Sequence, residues 1–143
     1  MNKSFSLFLE KLKNLNLPKG KFAIFGSGPI GVRNIRDTHD LDIIITKELF
    51  DKYKNMQGWE VKNFERDGRY VEMIENSGIE FYNNWGPGEW DTNQLINEAE
   101  LIDNLPFVNL DTVIKWKQIS GRKKDLKDIQ LIKTFLQKSK KQK

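Results

Sequence analysis

The sequence predicts an α/β (α+β) protein, a central β-sheet flanked by helices, on three observations. Short runs rich in β-branched and aromatic residues, at 22–25, 41–46, 59–65, 69–75 and 79–82, have the length of strands. Around them, apolar residues recur at helical spacing, most clearly toward the two ends of the chain. The 143 residues suffice for one domain of common size, assigned to 1–137, with no repeat or linker to divide it.

Taken in order, Phe5, Phe8, Leu9, Leu12 and Leu15 define an amphipathic helix over 4–15 with Ser4 as its cap, ended by Leu17-Pro18-Lys19-Gly20. The strand at 22–25 runs into Gly26-Ser27, and Gly28-Pro29 turns the chain into a short helical segment over 29–35 before the strand at 41–46. Thr46 caps a helix reaching about Lys54, and residues 55–58 close it. The runs at 59–65 and 69–75 are joined across Asp67-Gly68, a hairpin signal, and Asn76-Ser77-Gly78 turns the chain into 79–82. Residues 83–91, NNWGPGEWD, are too rich in Gly and Pro to be regular; their two tryptophans are read as packing on the sheet rim in preference to stacking on a base. Asp91-Thr92 caps a helix to about Glu98, and residues 105–108 form a short extended piece. Leu110, Val113, Ile114 and Ile119, with Trp116 nearby, mark a helix ending at Gly121. A last helix starts near Lys124, with Leu126, Ile129, Leu131, Ile132, Phe135 and Leu136 as its buried side.

Composition excludes several classes. The chain has no cysteine, so disulfides, thiolate metal sites and cysteine nucleophiles are absent and an intracellular, cytoplasmic protein is expected. No apolar run approaches the roughly 20 residues of a membrane span, and the N-terminus lacks a signal-peptide pattern. The only histidine, His39, leaves no multi-histidine metal site and reads as a bystander. The net charge of +4 equals the contribution of Lys138, Lys140, Lys141 and Lys143, so the basicity lies in a tail at 138–143 expected to be disordered and solvated, and nucleic-acid binding is not favoured.

The chemistry concentrates in residues 22–46, FAIFGSGPIGVRNIRDTHDLDIIIT. Side chains two apart on a strand share a face, which sets Asp40 beside Asp42 and turns Leu41 into the core. Two adjacent carboxylates repel one another unless a cation lies between them, and magnesium (or manganese) suits oxygen ligands supplied by one or two carboxylates plus substrate phosphates. Gly26 and Ser27 offer backbone approach, amide donors and a hydroxyl to such phosphates. Thr38 is placed to brace the loop through the backbone near Asp40.

The order apolar strand, Gly-Ser, short helix, Arg-x-Thr-x-Asp-x-Asp, apolar strand resembles the nucleotidyltransferases of the polymerase-beta superfamily, particularly the small single-domain types. Arg122-Lys123-Lys124-Asp125 with Asp128 is similar to the basic helix start of its lincosamide-transferase and abortive-infection-toxin branches. The resemblance implies that superfamily's fold, with a central mixed sheet and C-terminal helices. It implies Asp40, Asp42 and Glu80 as metal-binding and catalytic carboxylates, and Gly26, Ser27, Arg36, Lys117 and Lys124 as contacts to the triphosphate. The implied reaction is transfer of a nucleoside monophosphate from a nucleoside triphosphate to an acceptor hydroxyl on an antibiotic, a protein, an RNA end or a metabolite. The small size leaves room for a homodimer or a partner protein. Glu80 also reads as an outward-facing strand residue, with Glu72 a weaker alternative for the third carboxylate, and Arg33 as a solvated helix residue.

Two further readings use the same residues. A catalytically degenerate nucleotide-binding or regulatory protein shares nearly all of them. Gly26-Ser27-Gly28-Pro29-Ile30-Gly31 also spells the dinucleotide fingerprint after a strand, with Glu48 as the ribose acid, but the segment before Thr38-His39-Asp40 is too short for a crossover helix and that reading leaves Asp40 and Asp42 unexplained.

Overall fold

The computed structural model describes residues 2–66 and 68–141, the side chain of Lys141 excepted; Asp67 of the expected hairpin turn and residues 142–143 lie outside them. In chain order the elements are α1 (Lys3–Asn14), β1 (Phe22–Ile24), α2 (Gly28–Gly31), β2 (Leu41–Ile45), α3 (Lys47–Lys54), β3 (Glu60–Arg66), β4 (Arg69–Asn76), β5 (Ile79–Tyr82), α4 (Thr92–Asn97), β6 (Glu100–Ile102), β7 (Leu105–Phe107), α5 (Leu110–Ser120) and α6 (Lys123–Lys141). The strands form one mixed sheet in the order β3-β4-β5-β2-β1-β7-β6. Within it β2 pairs parallel with β5 and β1 parallel with β7, while the other neighbours are antiparallel.

Alternation along the strands builds a core on each face. Leu41, Ile43 and Ile45 of β2 meet Ile79 and Phe81 of β5 beneath α1 and α3, whose Phe5, Leu9, Leu12, Leu49, Phe50 and Tyr53 complete that layer. On the opposite face Ala23, Phe25 and Ile44 pack with Leu95 and Ile96 of α4, Val113 and Trp116 of α5 and Ile132 of α6. Helix ends follow the local chemistry expected of them: Thr46, Asp91 and Asn109 accept backbone N–H groups at the starts of α3, α4 and α5, and Gly121 closes α5 in the left-handed region at φ +62°.

Several expectations are corrected. The cap position of α1 is Asn2, not Ser4. Leu126 is 54% exposed, because Asp125 and Asp128 take the inward positions of the first turns of α6, and Ile119 of α5 is exposed to the same extent. The helix of 29–35 shrinks to the four residues of α2, and β6, a short edge strand, has no sequence signal of its own. Helix α6 continues through Lys141, so residues 138–141 of the expected tail are helical. Among the described residues no helix is long and apolar enough to cross a membrane.

Candidate active site

The parallel register of β2 on β5 sets Asp42 directly opposite Glu80. Both side chains leave the sheet on the face covered by α5 and α6, since their neighbours Leu41, Ile43, Ile79 and Phe81 are committed to the other core. The two carboxyl groups are close enough to share a proton when one of them is neutral. The Tyr82 hydroxyl, on the same face two residues along, donates to Glu80 Oε1 at 2.6 Å. Burial pushes the Asp42 carboxyl up to about 8, reinforced by the charge and hydrogen bond of Glu80 and by the charge of Asp40, with Arg66 acting in the opposite sense. Burial, the Asp42 charge and the hydrogen bond to Glu80 likewise raise the Tyr82 hydroxyl above its ordinary value. Asp40, at the mouth of β2, is exposed.

Gly26 lies against this pair. Its φ is +61°, and a Cβ there would stand 2.6 Å from Asp42 Oδ2, so only glycine lets the turn after β1 close over the carboxylate. Ser27 follows, its hydroxyl hydrogen-bonded to that of Thr38, which is buried; Thr38 therefore braces the loop through Ser27 and not through the backbone near Asp40. Gly28 and Gly31 serve packing: a Cβ at either would stand 2.4 Å from Ile24 Cγ2 or Thr38 Cγ2. Since β1 and β2 are antiparallel and α2 spans four residues, this glycine run is not the parallel strand-helix-strand unit of a dinucleotide site.

Helices α5 and α6 supply the far wall. Lys117, 4% exposed, reaches Asp128 Oδ2 at 2.9 Å and Asp125 Oδ1 at 3.3 Å. Arg36 makes a two-pronged contact with Asp128, Nε to Oδ1 at 2.7 Å and Nη2 to Oδ2 at 2.8 Å. Arg122 Nε donates to Asp125 Oδ2 at 2.8 Å, and the Arg122 backbone N–H reaches the same oxygen at 3.1 Å. Burial alone would raise both aspartates, but their cationic partners prevail: Asp125 is held down to about 2 and Asp128 also lies below the usual carboxylate range. The Asp128 hydrogen bond raises Arg36.

The eight residues that the resemblance assigns to metal and triphosphate line one open cavity of about 680 Å³. Gly26, Ser27, Asp40, Asp42 and Glu80 stand on its sheet side, and Arg36, Lys117 and Lys124 opposite. Arg36 and Lys117 are engaged with aspartates, whereas Lys124 forms no ion pair among the described residues. Arg66, Tyr82 and Lys127, which also line the cavity, were not anticipated. Glu72 is excluded as third carboxylate: it sits on the other face, paired with Lys54 at 2.8 Å. Arg33 is not solvated; its side chain is 11% exposed, bound to the Pro29 carbonyl at 2.8 Å and to Glu100 at 2.7 Å. Trp85 packs as expected, stacked on Phe25 with ring centroids 4.5 Å apart.

Among the described residues no group of three or more His, Cys, Asp or Glu side chains is arranged to hold a metal ion by itself. A magnesium ion does not need one, because it binds through one or two carboxylates and completes its shell with phosphate oxygens and water. Asp42 and Glu80 provide two carboxyl groups in mutual contact, and in the metal-free protein a proton relieves the repulsion that a cation would otherwise relieve. Comparison of the chain with family models, with curated proteins and with solved structures finds no match in any of the three.

Proposed function

We propose that this protein is a nucleotidyltransferase of the polymerase-beta type, which moves a nucleoside monophosphate from a nucleoside triphosphate to an acceptor hydroxyl. The observation that carries the reading is the Asp42–Glu80 register on one sheet face, with Gly26-Ser27 at one side of the pair and the basic wall of α5 and α6 across the cavity. Gly26 and Ser27 receive the phosphates, and Lys124 adds charge to them without first leaving a carboxylate partner. Asp128 positions Arg36 and Lys117 along the same wall. Asp40, Asp42 and Glu80 would hold magnesium, which when bound neutralises charge on the transferred group. The acceptor oxygen forms a bond to the α-phosphorus while the bond to the bridging oxygen breaks, its electron pair leaving with pyrophosphate. The acceptor proton passes to the Glu80 carboxylate, which Tyr82 orients.

The test compares wild type with Asp42→Asn for binding of a nonhydrolysable triphosphate with and without magnesium. The variant should fold with equal or greater stability, since a neutral amide beside Glu80 needs none of the proton uptake that burial imposes on Asp42. Its magnesium-dependent affinity should fall by more than the roughly ten- to hundredfold typical of losing an outer-shell partner. MgATP should raise the melting temperature of the wild type by mass action and NAD should not. Unchanged magnesium-dependent binding in the variant overturns the reading. Tight binding without pyrophosphate release from any acceptor leaves a nucleotide-binding protein without turnover.

A further inference from the structure

A second cavity, of about 340 Å³, adjoins the first and shares Arg66, Tyr82 and Trp85 with it. It exists because β4 outruns β5: the two strands pair only from Met73 to Asn76, leaving residues 69–72 with no strand beyond Tyr82. Helix α3 and residues 83–87 border that gap. We propose that this cavity is the acceptor site of the transfer, taking a small ring-bearing hydroxyl compound that carries a negative charge. The assignment rests on the nucleotidyltransferase reading above.

Three observations support it. The first is direction. Attacking and leaving oxygens lie roughly in line, so an acceptor must enter opposite the pyrophosphate. The phosphate end is at Gly26-Ser27, off β1, and the second cavity lies on the β4 side of the Asp42–Glu80 pair, past the end of β5; Lys54 and Glu72 line it from the other face of the sheet, and Tyr82, whose hydroxyl bonds Glu80, joins it to the first cavity. The second is shape and surface. The volume is that of a small-molecule site, and Tyr70, 70% exposed, presents an uncovered ring while Tyr82 and Trp85 add aromatic wall. The third is polarity. Lys47 is paired with Asp51 and Lys54 with Glu72, while Arg66 and Arg69 form no ion pair among the described residues, Arg69 donating instead to the Gly88 carbonyl at 2.5 Å, so the lining is net positive. The Trp85 ring stands in the cavity wall, and its buried indole N–H, without a hydrogen-bond partner among the described residues, gives a reporter of occupancy.

The experiment uses ¹⁵N-labelled full-length protein and three matched probes: 4-hydroxyphenylacetate, its neutral amide, and the cation tyramine. The acid should shift the Trp85 indole signal and bind more tightly than the amide, with tyramine weakest. Arg69→Gln should weaken the acid by about tenfold, the scale of one charge-assisted hydrogen bond, and leave the amide unchanged. Tyr70→Ala should weaken acid and amide alike. Neither residue touches the first cavity, so both variants should bind the magnesium-triphosphate analogue as the wild type does. No movement of the Trp85 signal, equal binding of acid and tyramine, or variants that bind the acid normally would overturn the acceptor assignment. Because the triphosphate is titrated separately, its normal binding in those cases leaves the transfer reading standing. Failure of the triphosphate itself removes both.

Discussion

At Gly26 one missing methyl group decides whether the site exists. The backbone is left-handed, and the space a Cβ would fill belongs to the Asp42 carboxylate. Gly26→Ala should cost about 1 to 2 kcal/mol from the backbone conformation alone. Displacing Asp42 should then abolish magnesium-dependent triphosphate binding even where the variant stays folded. Urea denaturation and a binding titration on the same sample check the two effects, and an alanine variant that binds normally would show that the close approach is not needed. The same crowding explains why glycines at 28 and 31 complete a pattern that mimics a dinucleotide fingerprint. The spacing meets packing against Ile24 and Thr38, a demand the sequence does not distinguish from a demand for pyrophosphate.

Among the elements, those with strong local chemistry were legible. The β3–β4 hairpin, the caps at Thr46 and Asp91 and the glycine end of α5 are fixed by residues within a few positions of one another. Glu80 was legible for a related reason: alternation with Ile79 and Phe81 sets its face whatever lies beside it. What lies beside it was not. That Glu80 adjoins Asp42 depends on the parallel pairing of β5 with β2, which no local signal encodes. Edge strand β6 was missed because Glu100-Leu101-Ile102 is short and largely exposed. The start of α6 misled for the opposite reason. Leu126 has the spacing of a core residue, yet Asp125 and Asp128 turn inward in its place to meet Lys117, Arg36 and Arg122, partners drawn from three other segments.

For the whole molecule, two sets of carboxylates pull stability in opposite directions with pH. The folded state holds the Asp42 proton up to about 8, far above the ordinary 3.8, so folding binds a proton that the unfolded chain releases. Stability from this group therefore falls as pH rises between about 4 and 8. Asp125, held near 2, and Asp128 act with the reverse sign: their contribution is present above the ordinary value and is lost as pH falls toward 2. The metal-free protein should be most stable at about pH 4 to 5 and lose melting temperature progressively toward pH 8. Calorimetry across pH should find that limb flattened in Asp42→Asn; a limb that persists in the variant would assign it to another group. The Arg36–Asp128 contact has a consequence in time as well as in energy. Its partners are 92 positions apart, so the contact closes a loop spanning most of the chain, and such contacts form late. Asp128→Asn, which leaves a buried lysine short of a partner, should destabilise by about 3 kcal/mol. That loss should appear almost wholly as unfolding faster by about a hundredfold, with refolding slowed less than about tenfold. Stopped-flow measurements that place the loss in the refolding rate would mean that this clasp belongs to the nucleus. On the expected outcome it is a latch, shut after the sheet has formed, and the lifetime of the native state is the time the latch holds.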